Sequence, residues 1–272
     1  MEHMEQLRVS HLKSRVSLVV GVVDSLTSQS PLGNTTTVHL EGTRSKAIRK
    51  TNGSYIFNDL TPGTYLATVT SEYYFQEQVR ISIGSTNAIA VVQLSPKPSY
   101  PFSPGTPLIR MMLHSSAGTP LQGAELQAVV QSEDGARARL MTEQAERGSE
   151  ELTLGSFTGG VLAGDTYLLR GRGGKASEEM IRIAEVLEHQ KRFRLMDKLT
   201  KAYARGALLM PVQMTRSTER GEVVIAFRGN RIPDFTADLM ISYGSASQQV
   251  IKEVAVAEGA TTNLGTVCLT QR

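Results

Sequence analysis

Fourteen residues, Asn52 to Tyr65 (NGSYIFNDLTPGTY), constrain the fold more than any other stretch of the chain. Asn52-Gly53 is the dipeptide that most readily takes positive φ at both central positions of a type I′ hairpin turn. It joins a strand over Ala47–Thr51 to one that begins at Ser54. Along that second strand Tyr55 and Phe57 share one face and Ser54 and Ile56 the other, because side chains alternate. Leu60 follows, and Thr61-Pro62-Gly63 reads as a turn in which proline fixes φ and glycine supplies freedom beside it. Tyr65, Ala67 and Val69 then alternate again.

The flanks repeat this pattern. Val16 to Asp24 is a β-branched run, a Ser/Pro/Gly/Asn cluster fills residues 25–34, and Val38 and Leu40 alternate with polar neighbours in Thr35–Leu40. Arg80–Ile83 and Ala88–Leu94 supply two more strands. About seven strands in about 85 residues, with regular turn signals, predict an antiparallel β-sandwich.

Lys50 to Phe57 (KTNGSYIF) followed by Leu60 to Tyr65 (LTPGTY) resembles the core motif of carboxypeptidase regulatory-like domains, relatives of the transthyretin-like and collagen-adhesin B-type sandwiches. The residues that carry the resemblance are Asn52, Gly53, Tyr55, Phe57, Leu60, Pro62, Gly63 and Tyr65, and it extends over residues 14–97. It implies an accessory, adhesive or structural module without a catalytic site of its own. The collagen-adhesin relatives can carry a Lys–Asn cross-link, but Val16–Asp24 has no Lys and Ala88–Leu94 no Asn.

At 272 residues the chain is long enough for two or three modules of roughly 90 to 100 residues. Residues 1–13 form an N-terminal arm and 14–97 the first sandwich. Five prolines in Ser95–Pro107 mark a stiff linker over 98–107, on which Tyr100 and Phe102 dock against a neighbouring module. A second sandwich is expected over 108–196. It opens with the strand Leu108–Leu113 and the entry Gly118-Thr-Pro-Leu-Gln-Gly-Ala-Glu-Leu126, and continues through Gly155–Phe157, Ala163–Tyr167 and Ile181–Ile183. Residues 197–272 form a third small sandwich or complete the second. Residues 177–204 are rich in helix formers, yet the repeat places strands at Met180–Ile183 and Gln190–Leu195, with at most a short helix over Asp197–Ala204. The fold class is therefore all-β, with tandem antiparallel Ig/transthyretin-like sandwiches.

The remaining signals narrow the function. Twenty-nine basic against 26 acidic residues is near balance. The basic excess around Lys191–Leu195 alternates with apolar residues, and no nucleic-acid-binding module accompanies it, so nucleic acid is not an expected partner. Cys268 is the only cysteine, which excludes an intrachain disulfide and points to a buried structural thiol. Five scattered histidines, His39 and His189 among them, lack metal-ligand spacing, and no nucleophile motif is present. No catalytic, cofactor or metal residue is assigned. Ser17–Val23 is too short for a signal-peptide core and no stretch is long enough to span a membrane, so synthesis in the cytoplasm is expected.

Tyr73-Tyr74-Phe75, with Tyr100 and Phe102, forms the candidate interface, because three consecutive aromatics cannot all face one core. The expected function is a non-enzymatic structural or interaction protein that binds protein partners or itself. A component of a phage tail or phage-tail-like contractile injection particle fits that description. The alternative is a carrier or adhesion module that binds a small molecule, peptide or glycan through sandwich-end loops. A transthyretin-related hydrolase is a distant third, since its C-terminal signature and paired histidines are missing.

Overall fold

The computed structural model describes residues 14–84, 86–172, 177–229, 232–244 and 247–269, so the expected arm over 1–13 lies outside the described residues. The chain divides into two compact units, one ending at Leu94 and one starting at Ser95. Both are all-β.

The first unit holds β1 (Val16–Asp24), β2 (Thr37–Leu40), β3 (Ile48–Arg49), β4 (Tyr55–Asn58), β5 (Gly63–Thr70), β6 (Glu77–Ile83) and β7 (Ala88–Leu94). These form two sheets, β3-β4-β1-β7 and β2-β5-β6. Neighbours are antiparallel except β1 and β7, which run parallel from Leu18 opposite Ala88 to Asp24 opposite Leu94. Alternate residues fill the space between the sheets: Leu18, Val20 and Val22 of β1, Phe57 of β4, Ala67 and Val69 of β5, Ile81 and Ile83 of β6, and Val92 and Leu94 of β7 are buried. Each such valine, leucine, isoleucine or phenylalanine contributes about 1.5–3 kcal/mol on leaving water.

The motif that opens the sequence organises this unit, with two departures from expectation. Only Gly53 is left-handed (φ +80°), and Asn52 is not. Gly53 N–H donates to the Lys50 carbonyl (3.0 Å) and Lys50 N–H to the Ser54 carbonyl (2.8 Å). This is the three-residue loop in which a left-handed glycine follows a type I turn, rather than a type I′ turn. Asn52 Oδ1 pins it by accepting from Ser54 N–H (3.1 Å) and Ser54 Oγ (2.7 Å). Gly63 in turn is already the first residue of β5, and the left-handed residue before it is Asp59 (φ +56°).

The aromatics sit as the alternation requires. Tyr55 is buried and donates its hydroxyl to the Thr36 carbonyl at the start of β2 (2.6 Å), which ties one sheet to the other. Burial pushes its pKa up. Leu60 N–H donates to Ser17 Oγ (3.0 Å), and Tyr65 closes the motif by donating its hydroxyl to the Thr61 carbonyl (2.8 Å).

Asp59 holds the entry to β1. Its Oδ1 accepts from Arg15 N–H and its Oδ2 from the Ser14 hydroxyl, both at 2.8 Å, and these donors hold its pKa below the usual carboxylate value. A carboxylate whose folded pKa is depressed stabilises above its unfolded value near 4, and that contribution disappears as pH falls through the lower folded value. Melting followed by circular dichroism between about pH 5 and pH 2.5 should therefore show a shallower acid-side loss in Asp59→Asn than in the wild type. Equal slopes would show that the contact does not persist in solution.

The second unit is wired in the same way, with an insertion. Its sandwich consists of β8 (Leu108–Ser115), β9 (Glu125–Val130), β17 (Leu208–Arg216), β18 (Glu222–Ala226), β19 (Asp234–Tyr243), β20 (Ser247–Ala257) and β21 (Thr261–Leu269). The sheets are β18-β8-β21 and β17-β9-β19-β20, and β8 runs parallel to β21 as β1 does to β7. Ile109, Leu113, Leu126, Ile225, Phe227, Phe235, Leu239 and Ile241 lie in the core between them.

Between β9 and β17 the chain leaves the sandwich and builds a barrel. It contains β10 (Ala138–Leu140), β12 (Glu151–Gly155), β13 (Thr166–Arg170), β14 (Glu178–Glu188) and β15 (Arg192–Leu195), with a small ribbon of β11 (Gln144–Ala145) and β16 (Tyr203–Ala204). Pairing runs β10-β12-β15-β14-β13-β17 and returns from β17 to β10, so the ring closes. Closure removes free edges. Leu140, Leu152, Leu154, Tyr167, Leu169, Ile181, Ile183, Phe193, Leu195 and Leu209 fill the interior.

β17 belongs to both bodies. Leu208–Pro211 pair with the barrel strands, and Val212–Arg216 pair with β9. Leu209 faces the barrel core, while Leu208, Met210 and Val212 pack with Val129 and Ala136 on the opposite face. This explains the continuous apolar run LLMPV, since a strand covered on both faces needs no polar alternation.

The expected separate sandwich over 108–196 and a third over 197–272 do not form. β8 and β9 find their partners at residues 212–269, which complete the second sandwich. Ala163–Tyr167 and Ile181–Ile183, expected in the second sandwich, lie in the barrel. Nor is there a helix over Asp197–Ala204. That segment is irregular and ends in β16, with Leu199 and Tyr203 buried in the barrel core.

Candidate interaction surface

The aromatics proposed as an interface are mostly interior. Tyr74 is fully buried; its hydroxyl donates to Asp24 Oδ2 (2.9 Å) and accepts from Leu32 N–H (2.9 Å). Phe75 is buried as well, because residues 71–76 lie in the connection between β5 and β6 rather than within a strand and the alternation does not apply. Tyr73 is half-exposed beside Gly33. In the second unit Tyr100 is buried with its ring 4.8 Å from Phe102, and the Arg110 guanidinium lies 5.9 Å over the Phe102 ring. Residues 98–102 are thereby fastened to β8 of their own unit, since Arg110 also donates to the Pro98 carbonyl (3.4 Å). Tyr74, Phe75 and Tyr100 are not available as anchors.

The buried charges are likewise committed to structure. Asp24 Oδ1 accepts from Leu26 N–H (2.7 Å) and caps the turn after β1. In the second unit Asp165 accepts from Leu162 N–H (3.1 Å) and the Tyr167 hydroxyl (2.9 Å) and pairs with Arg228. Burial, with Asp165 beside it, raises the Tyr167 pKa. Buried Arg137 donates to the Gly229 (2.7 Å) and Arg228 (3.0 Å) carbonyls. Asp165, Tyr167 and Arg137 come from the barrel and Arg228 and Gly229 from the loop after β18, so this cluster rivets barrel to sandwich.

Ion pairs on the barrel wall, Arg192–Glu151 (2.7 Å) and Arg194–Glu185 (2.7 Å) among them, are exposed rungs between adjacent strands. They account for the alternating basic residues around Phe193. His39 and His189 are exposed, and the described residues contain no cluster of three or more His, Cys, Asp or Glu suited to a metal ion. Cys268 is exposed, contrary to expectation. A register shift between Asn263 and Thr266 resets the alternation of β21, so that Val267 and Leu269 turn inward instead. No helix among the described residues is long and apolar enough to cross a membrane.

What the structure does expose is the outer face of sheet β3-β4-β1-β7. Ile48 stands opposite Ile56, Ile56 opposite Val19, and Val19 opposite Ile89, so four β-branched side chains form a row across all four strands. Ile48 is 45% exposed and Ile89 79%, and Val91, next along β7, is 63% exposed. Val19, Val23 and Ile56 are half-buried between them. The signal was present in the sequence. VSLVVGVVD and AIAVVQL are apolar in both alternation phases, which a strand with one wet face does not need.

No protein-family model matches the chain, and no curated protein matches it significantly. Among solved structures it is similar to the Bacillus anthracis TIE protein, at 8% identity and a TM-score of 0.26, over 94% of this chain and 34% of that one. It thus spans about a third of the TIE protein's length. A streptococcal ancillary pilin is matched at 10% identity and a TM-score of 0.20, over 96% of this chain and 99% of the pilin. BcpA, the major pilin subunit of Bacillus cereus, is matched at 9% identity and a TM-score of 0.25, over 96% of this chain and all of BcpA (100%).

Proposed function

We propose that this chain is a non-enzymatic structural protein that works through protein-binding surfaces as part of a large assembly. A phage tail or a phage-tail-like contractile injection particle, built in the cytoplasm and then released, is the assembly proposed. The observation that carries the reading is the apolar row Ile48–Ile56–Val19–Ile89 on a solvent-facing sheet. An exposed contiguous apolar patch of this kind marks an interaction site. Carboxypeptidase regulatory-like ancestry for both sandwiches is part of the proposal, and the parallel first and last strands that they share support it.

The test is native purification of the tagged protein from its own source, followed by sizing and mass spectrometry of what accompanies it. Recovery in a very large particle with tube, sheath or baseplate proteins is the expected result. Recovery as a lone chain in every fraction would sink the reading.

A further inference from the structure

We infer that the first sandwich pairs with a second copy of itself, β7 against β7 and antiparallel, to make one continuous eight-stranded sheet. The inference rests on the assembly reading above and names one contact within it.

β7 is the edge of its sheet, and no strand among the described residues pairs with its outer side. The direction of its backbone follows from one hydrogen bond. Ser25 N–H donates to the Leu94 carbonyl (3.0 Å), so Leu94, Val92 and Ala90 turn their peptide groups toward β1. Ile89 and Val91 then turn theirs to the open edge. Their side chains are also the exposed apolar ones, which makes this edge adhesive in both backbone and side chain.

Proteins normally blunt such edges with charge, proline or a bulge, and other edges of this chain are blunted in that way. β6 carries exposed Arg80 and partly exposed Glu77. β20 is bulged at exposed Lys252 and Glu253, where Glu253 has φ +55°. β21 shifts register between Asn263 and Thr266. β3, at the far side of the same sheet, carries exposed Arg49 and is followed by exposed Lys50. β7 (AIAVVQL) has no ionisable residue, no proline and an unbroken register with β1.

Charge also selects the occupant. A two-fold axis at Ala90 sets Ile89 opposite the partner's Val91, with no like charges facing each other. The two basic β3 edges then lie at opposite ends of the joined sheet, about 34 Å apart at about 4.8 Å per strand, well beyond the ~8 Å screening length. Pairing through β3 would instead bring Arg49 and Lys50 of both copies together. The row Ile48–Ile56–Val19–Ile89 continues across the new junction, so strand pairing and apolar contact are gained together.

Sedimentation velocity of the full chain from about 1 to 100 µM tests this, a span that brackets micromolar self-association. A monomer–dimer equilibrium is expected. Val91→Lys should raise the dimer dissociation constant at least about tenfold, because each lysine then stands opposite the partner's Ile89 and the two lysines become diagonal neighbours about 7–8 Å apart on one face. Val91→Pro removes only an edge-facing donor and should do the same. Ser82→Lys, on the exposed side of β6, should leave the equilibrium unchanged, and circular dichroism would establish that all three variants fold.

A wild type that stays monomeric at about 100 µM, or an equilibrium indifferent to both Val91 variants, overturns the inference. A monomer that still co-purifies with a large particle overturns the pairing alone. A dimer sensitive to Val91 that travels with no other protein supports the pairing and counts against the assembly.

Discussion

A fragment of residues 95–196 is expected to show no cooperative unfolding transition, whereas residues 95–272 unfold cooperatively as one body. The pairing scheme gives the reason. β8 is hydrogen-bonded to β18 and β21, and β9 to β17 and β19, and all four partners lie beyond residue 196. Half of the sandwich core, from Val223 to Leu269, is removed with them. The barrel also opens, because β17 is the strand that pairs with both β10 and β13. What remains has unpaired strand edges and exposed apolar faces, and the loss is the whole stability of the unit, about 5–15 kcal/mol for a domain. Scanning calorimetry or circular dichroism melts of the two fragments decide it. A sharp melt from residues 95–196 would mean that a sandwich closes within that segment, contrary to the strand pairing.

The same scheme shows why the first sandwich could be read from sequence and the second only in part. In residues 14–94 every strand is bracketed by a turn signal, and strands adjacent in sequence are rarely far apart, so local pattern and tertiary pairing agree. In the second unit the individual strands at 108–113, 206–214, 223–227, 235–241, 249–256 and 264–269 are equally legible. The connection between β9 and β17 is not, since about eighty residues of barrel interrupt a sandwich whose halves carry no sign that they belong together. Ala163-Gly164-Asp165-Thr166-Tyr167 imitated the turn at Thr61–Tyr65, but a short turn-and-tyrosine pattern serves any hairpin.

The errors at single positions have local causes. Asn-Gly serves two hairpin loops, and only the backbone at Asn52 distinguishes them. Tyr74 departs from alternation because it lies in the connection between β5 and β6, where its hydroxyl bonds the Asp24 carboxylate. Cys268 faces out because of the register shift around Gly265, a left-handed glycine (φ +63°) inside β21 of the kind that marks a bulge. The apolar outer row, by contrast, is legible in β1 and β7, whose sequences are apolar in both alternation phases.

Gly221→Ala is expected to destabilise the second unit by about 3–5 kcal/mol, far more than the same substitution at Gly118. Both glycines are left-handed, at φ +75° and +79°, and alanine there costs about 1–2 kcal/mol from backbone strain. At Gly118 nothing lies within 4 Å of the added Cβ, so strain is the whole cost. At Gly221 the Cβ would fall 2.4 Å from the Leu113 carbonyl oxygen. That oxygen cannot retreat cheaply, because Leu113 is fully buried and donates its own N–H to the Gly221 carbonyl (2.8 Å) while Leu121 N–H donates to the Leu113 carbonyl (2.9 Å). Relief requires β8 to move relative to the turn before β18, in the middle of the sandwich. With about 2–4 °C per kcal/mol for a unit of this size, Gly118→Ala should lower Tm by a few degrees and Gly221→Ala by roughly ten or more. Equal shifts in the two variants would show that the turn at Glu219–Glu222 is free to move away from β8, and that β8 is not held as tightly as its hydrogen bonds indicate.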